Sequence, residues 1–175
     1  MDAKDIPLFI SSRSCYRIHL DWEYLETYLQ KQSERCEGMA SLDLNPDFQR
    51  GYVWKENQKT AYVEYILRGG TSGRDIYCNC IGWGDSYEGP YVLVGGKQRL
   101  EAVRGFIANR VKAFGHYCKD ITGLRLTRYD FLWHVNSLAT RAEVLTWYLE
   151  MNSGGTVHAK AELDRVRDLL EKEKP

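Results

Sequence analysis

A short apolar run that ends at a glycine pair constrains this sequence more than any other feature. Residues 91–94 read Tyr-Val-Leu-Val, an apolar run without alternation that is typical of a strand buried on both faces. Gly95 and Gly96 interrupt the run, and residues 97–109 then carry apolar side chains at helical spacing. The chain therefore turns within two residues from a buried strand into a helix. This pattern predicts an α+β domain.

The same turn predicts a site for an anion. The first N–H groups of a helix have no partner within the helix, and the helix dipole adds about +0.5 charge there. Gly96 lets a phosphate approach the backbone closely, Lys97 supplies a compact positive charge, and Arg99 supplies a planar fork of donors. The passage is neither a Walker loop nor a dinucleotide-binding loop. A tight turn with a surface lysine and arginine has the same pattern, so the residues alone leave both interpretations open.

The charges are balanced in number but not in position. The chain has 24 basic and 24 acidic residues, which excludes broad, salt-driven coating of nucleic acid. Residues 1–49 contain nine acidic and five basic residues, whereas residues 97–128 contain eight basic and two acidic ones. Such asymmetry within one chain indicates an anionic ligand, either a nucleotide or a nucleic acid.

Apolar spacing and turn residues predict the other elements. We expect helices over residues 21–35, 58–68 and 142–151, strands over 75–83 and 129–138, one or two short strands within 110–128, turns at 45–47 and 152–156, and a closing helix around 163–170. We expect one domain over residues 1–175, in which residues 1–40 form an N-terminal helical extension.

Cysteine usage and hydropathy restrict the compartment. Five scattered cysteines, an odd number, favour a reduced cytoplasmic protein over a disulfide framework. Cys78 and Cys80 with His116 and Cys118 lack the spacing of a zinc knuckle, so we expect no metal site from them. No apolar run approaches the ~18 residues of a membrane span, so we expect no membrane partner.

Three passages in order resemble one known family. Residues 96–102, Gly-Lys-Gln-Arg-Leu-Glu-Ala, resemble the G-x-x-R-x-x-A box of the ParB N-terminal domain. They are also similar to the D-G-Q-Q-R box of the domain that begins GmrSD-type modification-dependent restriction enzymes. Residues 45–54, Asn-Pro-Asp-Phe-Gln-Arg-Gly-Tyr-Val-Trp, resemble the P-x-F-Q-R-x-Y-V-W element of that second family, and residues 151–156, Met-Asn-Ser-Gly-Gly-Thr, its I-N-S-G-G-T element.

The resemblance implies a ParB/sulfiredoxin-like fold, in which a small mixed sheet is flanked by helices. It implies binding of a nucleoside triphosphate with Mg²⁺, and hydrolysis or phosphate transfer in restriction, modification, segregation or phage defence directed at DNA. Carried over by position, the nucleotide-binding residues are Gln49, Arg50, Gly96, Gln98, Arg99, Asn152, Ser153 and Gly154. The glycine turn itself adds Gly95 and Lys97 to the expected phosphate-binding residues. Arg50 and Arg99 are expected on phosphate oxygens and close in space.

The sequence departs from the family box at a chemically important position. Gly95 stands where the box has its aspartate, and Lys97 where it has its first glutamine. A carboxylate there could hold Mg²⁺ or orient a water molecule, and a glycine can do neither. Asp47, Glu101 and His158 are the candidates to act as base or ligand instead. Exposed charge for the two carboxylates, and a structural role for the histidine, are the alternatives.

Three functions follow from these observations. The first is a nucleotide-binding domain that hydrolyses a nucleoside triphosphate or transfers its phosphate. The second is a catalytically silent adaptor that keeps the fold and binds DNA or a protein partner, which Gly95 favours. The third is a small metal-dependent enzyme that nicks DNA.

Overall fold

A five-stranded mixed sheet with helices on both faces forms the framework. The computed structural model describes residues 16–34, 41–83, 89–153 and 160–173, with single residues at 2, 6 and 10. The strands are β1 Tyr16–Asp21, β2 Leu42–Asp43, β3 Asp75–Cys80, β4 Tyr91–Gly95 and β5 Asp130–Asn136. The helices are α1 Leu25–Ser33, α2 Glu56–Leu67, α3 Lys97–Ile107, α4 Arg141–Ser153 and α5 Lys160–Lys172. The predicted α+β class is confirmed.

In the sheet, β4 lies between β3 and β2. The strands follow the order β1-β5-β3-β4-β2, with β3 antiparallel to β4 and parallel to β5. β2 runs parallel to β4, and β1 runs antiparallel to β5. Because β4 is paired on both sides and covered on both faces, its apolar run does not alternate with polar residues.

Two apolar clusters lie on opposite faces of the sheet. The larger cluster includes buried side chains of α1, α2 and α3, and there the indole Nε1 of Trp133 donates to the Tyr91 hydroxyl at 2.9 Å. The smaller cluster joins Phe48 and Val94 to α4 and α5. α3 and α4 therefore pack on opposite sides of the sheet, and both lie near the end of β4.

Most predicted elements occur in the described residues. The predicted helix over 58–68 is α2, which ends where Gly69 adopts a φ of 90° and the N–H of Gly70 donates to the Tyr65 carbonyl at 2.9 Å. The predicted strands over 75–83, 91–94 and 129–138 correspond to β3, β4 and β5. The predicted turn at 45–47 also occurs, since the Gln49 N–H donates to the Pro46 carbonyl at 2.9 Å.

The N-terminal part differs from the predicted helical extension over residues 1–40. Residues 16–21 form strand β1, which pairs with β5 along its whole length and is an edge of the sheet. α1 begins at Leu25 rather than at Asp21, whose carboxylate accepts the Tyr24 N–H at 2.8 Å. Leu20, which directly precedes the predicted helix, is buried as a residue of β1.

Residues 110–128 do not form the predicted short strands. They contain two short 3₁₀ helices, Cys118–Asp120 and Leu126–Arg128, and one isolated bridge between Ala113 and His116. Gly115 and Gly123 adopt positive φ and interrupt extended backbone. α4 continues through Ser153, so residues 152 and 153 are helical rather than part of the predicted turn over 152–156, and residues 154–156 lie outside the described residues. Within the described residues, no helix has the length and apolar character to cross a membrane.

Candidate functional site

The turn from β4 into α3 depends on close approach of the neighbouring strand. Gly96 has a φ of 95°, and a Cβ atom placed there would lie 2.6 Å from Ile76 Cδ1 and 3.0 Å from the Asp75 carbonyl oxygen. The first hydrogen bond of α3 joins the Leu100 N–H to the Gly96 carbonyl at 2.9 Å. The N–H groups of residues 97–99 therefore precede the helical ladder and lack carbonyl partners within the helix.

Gly95 is restricted by side chains rather than by backbone. A Cβ atom at this position would lie 3.2 Å from the ring of Tyr77 and 3.3 Å from Met151 Cε. A side chain could enter only if these two neighbours moved. The packing therefore gives a structural reason for glycine at the position where the resembling family has aspartate.

A cleft of about 670 Å³ opens where α3 begins. It is lined by Gln49, Arg50, Val53, Trp54, Gln58, Val94, Gly95, Gly96, Lys97, Gln98, Arg99, Tyr148 and Asn152. Eight of the predicted binding residues line this one space, and they come from three separate stretches of the chain. The other five lining residues are absent from the predicted binding set: Val53 and Trp54 belong to the 45–54 element, whereas Gln58, Val94 and Tyr148 lie outside the matched passages and carry no distinctive signal.

The lining of the cleft is basic. Arg50, Lys97 and Arg99 contribute positive side chains, whereas no aspartate or glutamate is among the described residues that line the space. Three cations around the start of one helix add to the positive end of its dipole. The cleft therefore has the electrostatic character of an anion site.

Arg99 carries a guanidinium without a protein acceptor in the described part of the chain. No hydrogen bond or ion pair of its side chain occurs there. Burial raises the pKa of Tyr62 and of Tyr77, and in both cases the Arg99 charge opposes the rise. The guanidinium therefore lies near these two rings, and its donors remain available to an anion.

Arg50 faces the site from the side of α4 and α5. Its Nη1 lies 3.7 Å from Glu162 Oε2, and both side chains are largely shielded from solvent. Burial raises the pKa of Tyr148, a second lining residue, and the nearby charge of Arg50 opposes the rise. Arg50 is therefore positioned in the wall of the cleft beside residues of α4 and α5.

Lys97 is a lysine with little access to solvent. It is 8% exposed, and its ammonium lies 5.0 Å from the centre of the Tyr52 ring. Burial lowers the pKa of Lys97, and the charge of Asp43 partly opposes that change. An anion in the cleft would compensate the desolvation of this ammonium.

Gln98 organises the wall of the cleft. Its Oε1 accepts the N–H groups of Val53 and Trp54 at 3.0 and 3.1 Å, and its Nε2 donates to the Gly51 carbonyl at 2.9 Å. The amide is therefore used to hold the 51–54 loop against α3. The sequence predicts that Gln98 contacts the ligand, whereas its amide contacts the 51–54 loop. These contacts have no local sequence signal, because the loop and α3 come together only in the tertiary fold.

Gln49 and Asn152 also have protein partners. Gln49 Nε2 donates to the Leu93 carbonyl at 3.0 Å, and Asn152 Nδ2 donates to the Tyr148 carbonyl one turn earlier in α4 at 2.7 Å. The backbone of Ser153 ends α4, whereas its side chain and the whole of Gly154 lie outside the described part of the chain.

The two carboxylates considered as catalytic groups do not line the cleft. Asp47 is 60% exposed, accepts hydrogen bonds from Arg141 Nη2 at 2.8 and 3.0 Å, and borders a different cavity. Glu101 Oε1 lies 3.8 Å from Arg110 Nη2. On α3, Glu101 follows Lys97 by one turn and borders a separate small cavity. His158 lies outside the described residues.

Metal chemistry has no support in the described residues, which contain no group of three or more potential metal-ligating side chains. Cys78, Cys80 and Cys118 are not in disulfide bonds. Burial raises the pKa of Cys78 well above its usual value, which keeps the thiol protonated.

Comparison with known families supplies one match. A family model described as the N-terminal domain of the GmrSD restriction endonuclease matches residues 25–135. The matched range runs from the first residue of α1 to the penultimate residue of β5 and includes the 45–54 element and the glycine turn into α3. It ends before the passage at 151–156. Comparisons with curated proteins and with solved structures gave no match.

Proposed function

The chain belongs to the family of GmrSD restriction endonuclease N-terminal domains, and we propose that it binds a nucleoside triphosphate in the cleft as part of a DNA-directed restriction system. The family description supports the restriction role, since a restriction endonuclease acts on DNA. The geometry of the cleft supports the nucleotide. The two parts of the proposal are tested separately.

The observation that carries the nucleotide assignment is the position of Arg99. Its guanidinium has no acceptor in the described part of the chain, and it lines a cleft with Arg50, Lys97 and the start of α3. A partly buried cation without a counter-ion is costly, and a phosphate would supply bidentate acceptors in the geometry that arginine favours. The volume of the cleft is within the range of about 300–1,000 Å³ typical of small-molecule sites.

The proposed pose follows from these positions. The phosphates lie at the N–H groups of residues 97–99, with Arg99 on one side and Arg50 on the other. Lys97 adds a point charge and is compensated by the same anion. Trp54 lines the cleft, and the centre of its ring lies 5.5 Å from the centre of the Tyr62 ring. This packing holds the indole plane in a defined orientation. The base is assigned to the Trp54 side because the phosphates occupy the basic side.

The described residues do not fit a protein-held Mg²⁺ in this cleft. Magnesium prefers carboxylate oxygens and water, and no carboxylate is among the described lining residues. Asp47 and Glu101 are engaged elsewhere. The proposed function is therefore binding of the triphosphate, with any metal held by the phosphate oxygens.

Titration calorimetry with each of the four nucleoside triphosphates tests the site. We expect binding by the wild-type chain, and Arg99→Ala should weaken it about tenfold to a hundredfold, because one hydrogen bond to a charged group contributes about 1.5–3 kcal/mol. Arg128→Ala is the matched control, since Arg128 is exposed and belongs to the same basic segment outside the cleft. Absence of binding at millimolar nucleotide, or equal affinity of both variants, would contradict the assignment.

A catalytically silent adaptor is the second candidate, and Gly95 is the observation that favours it. We expect no phosphate release by the wild-type chain with Mg²⁺, because the aspartate of the family box is absent. Gly95→Asp restores that carboxylate and requires small movements of Tyr77 and Met151. Phosphate release by the wild-type chain that Arg99→Ala abolishes would instead identify an enzyme.

A further inference from the structure

A second basic surface lies at the opposite end of α3 from the cleft. Residues 109–119 include Arg110, Lys112 and Lys119 and contain no acidic residue. All three basic residues are exposed. We call residues 109–119 the basic lobe. It accounts for much of the positive charge of the 97–128 segment, and the nucleotide cleft does not use it.

The basic lobe is a compact unit rather than a loose loop. The N–H groups of Arg110 and Val111 donate to the Gly105 carbonyl at 2.7 and 3.0 Å, which fixes the lobe to the end of α3. The Lys119 N–H donates to Asn109 Oδ1 at 2.9 Å and returns the chain to its starting point. Val111 is 5% exposed and belongs to the larger apolar cluster. The positive side chains are therefore presented by a fixed backbone.

The tip of the basic lobe presents an aromatic ring in an unfavourable backbone conformation. Ala113 and His116 exchange backbone hydrogen bonds at 2.9 Å, and the two residues between them have positive φ, 52° for Phe114 and 79° for Gly115. Such two-residue turns favour Asn-Gly, since left-handed backbone costs a residue with a Cβ about 1–2 kcal/mol. Phe114 is nevertheless 50% exposed. Burial of the Phe114 ring therefore offsets little of the cost of its backbone conformation.

The positive groups of the basic lobe are poorly neutralised. Arg110 lies 3.8 Å from Glu101 Oε1, a long contact. Lys112 lies with its ammonium 4.8 Å from the centre of the Tyr117 ring. Neither Lys112 nor Lys119 has an ion pair with a described residue. Glu64, the nearby carboxylate, accepts the backbone N–H of Phe114 at 2.7 Å instead of pairing with a lysine.

We propose that the basic lobe binds duplex DNA, with its three cations on phosphates and Phe114 against the sugars or base edges of a groove. The DNA assignment rests on the restriction role in the proposed function, but it does not depend on nucleotide binding in the cleft. Exposed, fixed cations beside an exposed aromatic ring match the combination that contacts phosphate backbones and unstacks or covers base steps. An acidic protein surface would use the cations but would not explain the ring at the strained tip.

Fluorescence anisotropy with a labelled duplex of about 20 base pairs tests the proposal, in the absence of nucleotide. The variant is Arg110→Ala with Lys112→Ala and Lys119→Ala. Each phosphate contact contributes about 0.9 to the slope of log K against log salt, so this variant should reduce the slope by up to about 2.7 and weaken binding more than tenfold at 50 mM salt. The matched control removes the same charge from exposed positions on α1 and α5, as Lys31→Ala with Arg167→Ala and Lys172→Ala.

The outcomes separate the basic lobe from general charge and from the cleft. Loss of affinity and slope in the lobe variant, with the control close to wild type, supports the proposal. Equal loss in both variants, no binding of duplex by the wild-type chain, or tighter binding to single-stranded RNA or an acidic peptide overturns it. Because no nucleotide is present, failure here bears on the lobe, whereas failure of the nucleotide titration bears on the cleft. Circular dichroism and thermal unfolding establish that each variant is folded.

Discussion

The cleft and the basic lobe lie at opposite ends of α3, and their positive side chains differ in exposure to solvent. α3 has 11 residues and is about 16 Å long, with the cleft at its first residue and the basic lobe after its last. In the cleft the cations are shielded from solvent, whereas in the lobe they are exposed. The comparison shows that a basic segment in a sequence need not be one binding site, because the helix within it separates its charges.

The difference in burial implies a difference in ligand. Shielded cations carry a desolvation cost that a fitted, multivalent anion can offset, which favours a small ligand with several phosphates in one place. Exposed cations are screened over about 10 Å at 0.1 M salt, which favours a large polyanion and a strong dependence on salt.

Substitution of the positive-φ glycines should separate the two regions most clearly. Gly96→Ala should lower the free energy of unfolding by about 3 kcal/mol, because a left-handed backbone and a contact with a strand carbonyl add together. Gly115→Ala in the basic lobe has a similar φ, but nothing lies within 4 Å of the added Cβ, so we expect a loss of about 1 kcal/mol. Urea unfolding measures both, and equal losses would show that packing at the glycine turn does not matter.

The glycine turn was largely predictable from sequence. A non-alternating apolar run, two glycines and a helical stripe determine a strand, a turn and a helix by local chemistry. The family resemblance added the 45–54 and 151–156 passages, and Gln49, Arg50 and Asn152 from them line the same cleft. The role of Gln98 was not predictable, since its three partners depend on how the 51–54 loop folds back.

The errors share a physical cause. β1 and the 3₁₀ segments are set by pairing and packing with distant residues, and such contacts leave weak local signals. Leu20 fits a helical stripe and a strand face equally well, and only β5 decides between them. The place of Asp47 in the matched 45–54 element likewise does not reveal its partner, since its carboxylate pairs with Arg141, which is far away in sequence, and does not line the cleft.

Gln98→Ala should disturb the cleft and leave the basic lobe intact. It removes three hydrogen bonds of a side chain that is 8% exposed, so we expect a loss of about 2 kcal/mol in the free energy of unfolding and weaker nucleotide binding. Gln30→Ala on the exposed side of α1 is the control and should cost less than about 0.5 kcal/mol. An unchanged nucleotide affinity in Gln98→Ala would show that the 51–54 loop is not part of the site.

The pH dependence of nucleotide binding should reveal the shielded lysine. Burial lowers the pKa of Lys97 below its usual 10.5, so its charge is lost at a lower pH than that of an exposed lysine. Since the anion needs the ammonium, affinity should fall as pH rises through this lowered pKa, by up to about tenfold for one charged hydrogen bond of about 1.5 kcal/mol. Lys97→Arg should remove this decline, because a guanidinium stays charged. Calorimetry from pH 7 to 10 measures the effect, and parallel curves for both proteins would exclude Lys97 as a ligand.

Phe114→Asn should stabilise the basic lobe while weakening its contact with DNA. Asparagine tolerates left-handed backbone, so we expect the free energy of unfolding to rise by about 0.5–1 kcal/mol. The three cations remain, so the salt slope of duplex binding should be unchanged, whereas affinity should fall several-fold with loss of the ring. If Phe114 were retained for stability, Phe114→Asn would instead lower the free energy of unfolding. A rise in stability together with a fall in affinity would therefore identify the exposed ring as a functional contact, and unchanged affinity would confine DNA binding to the cations.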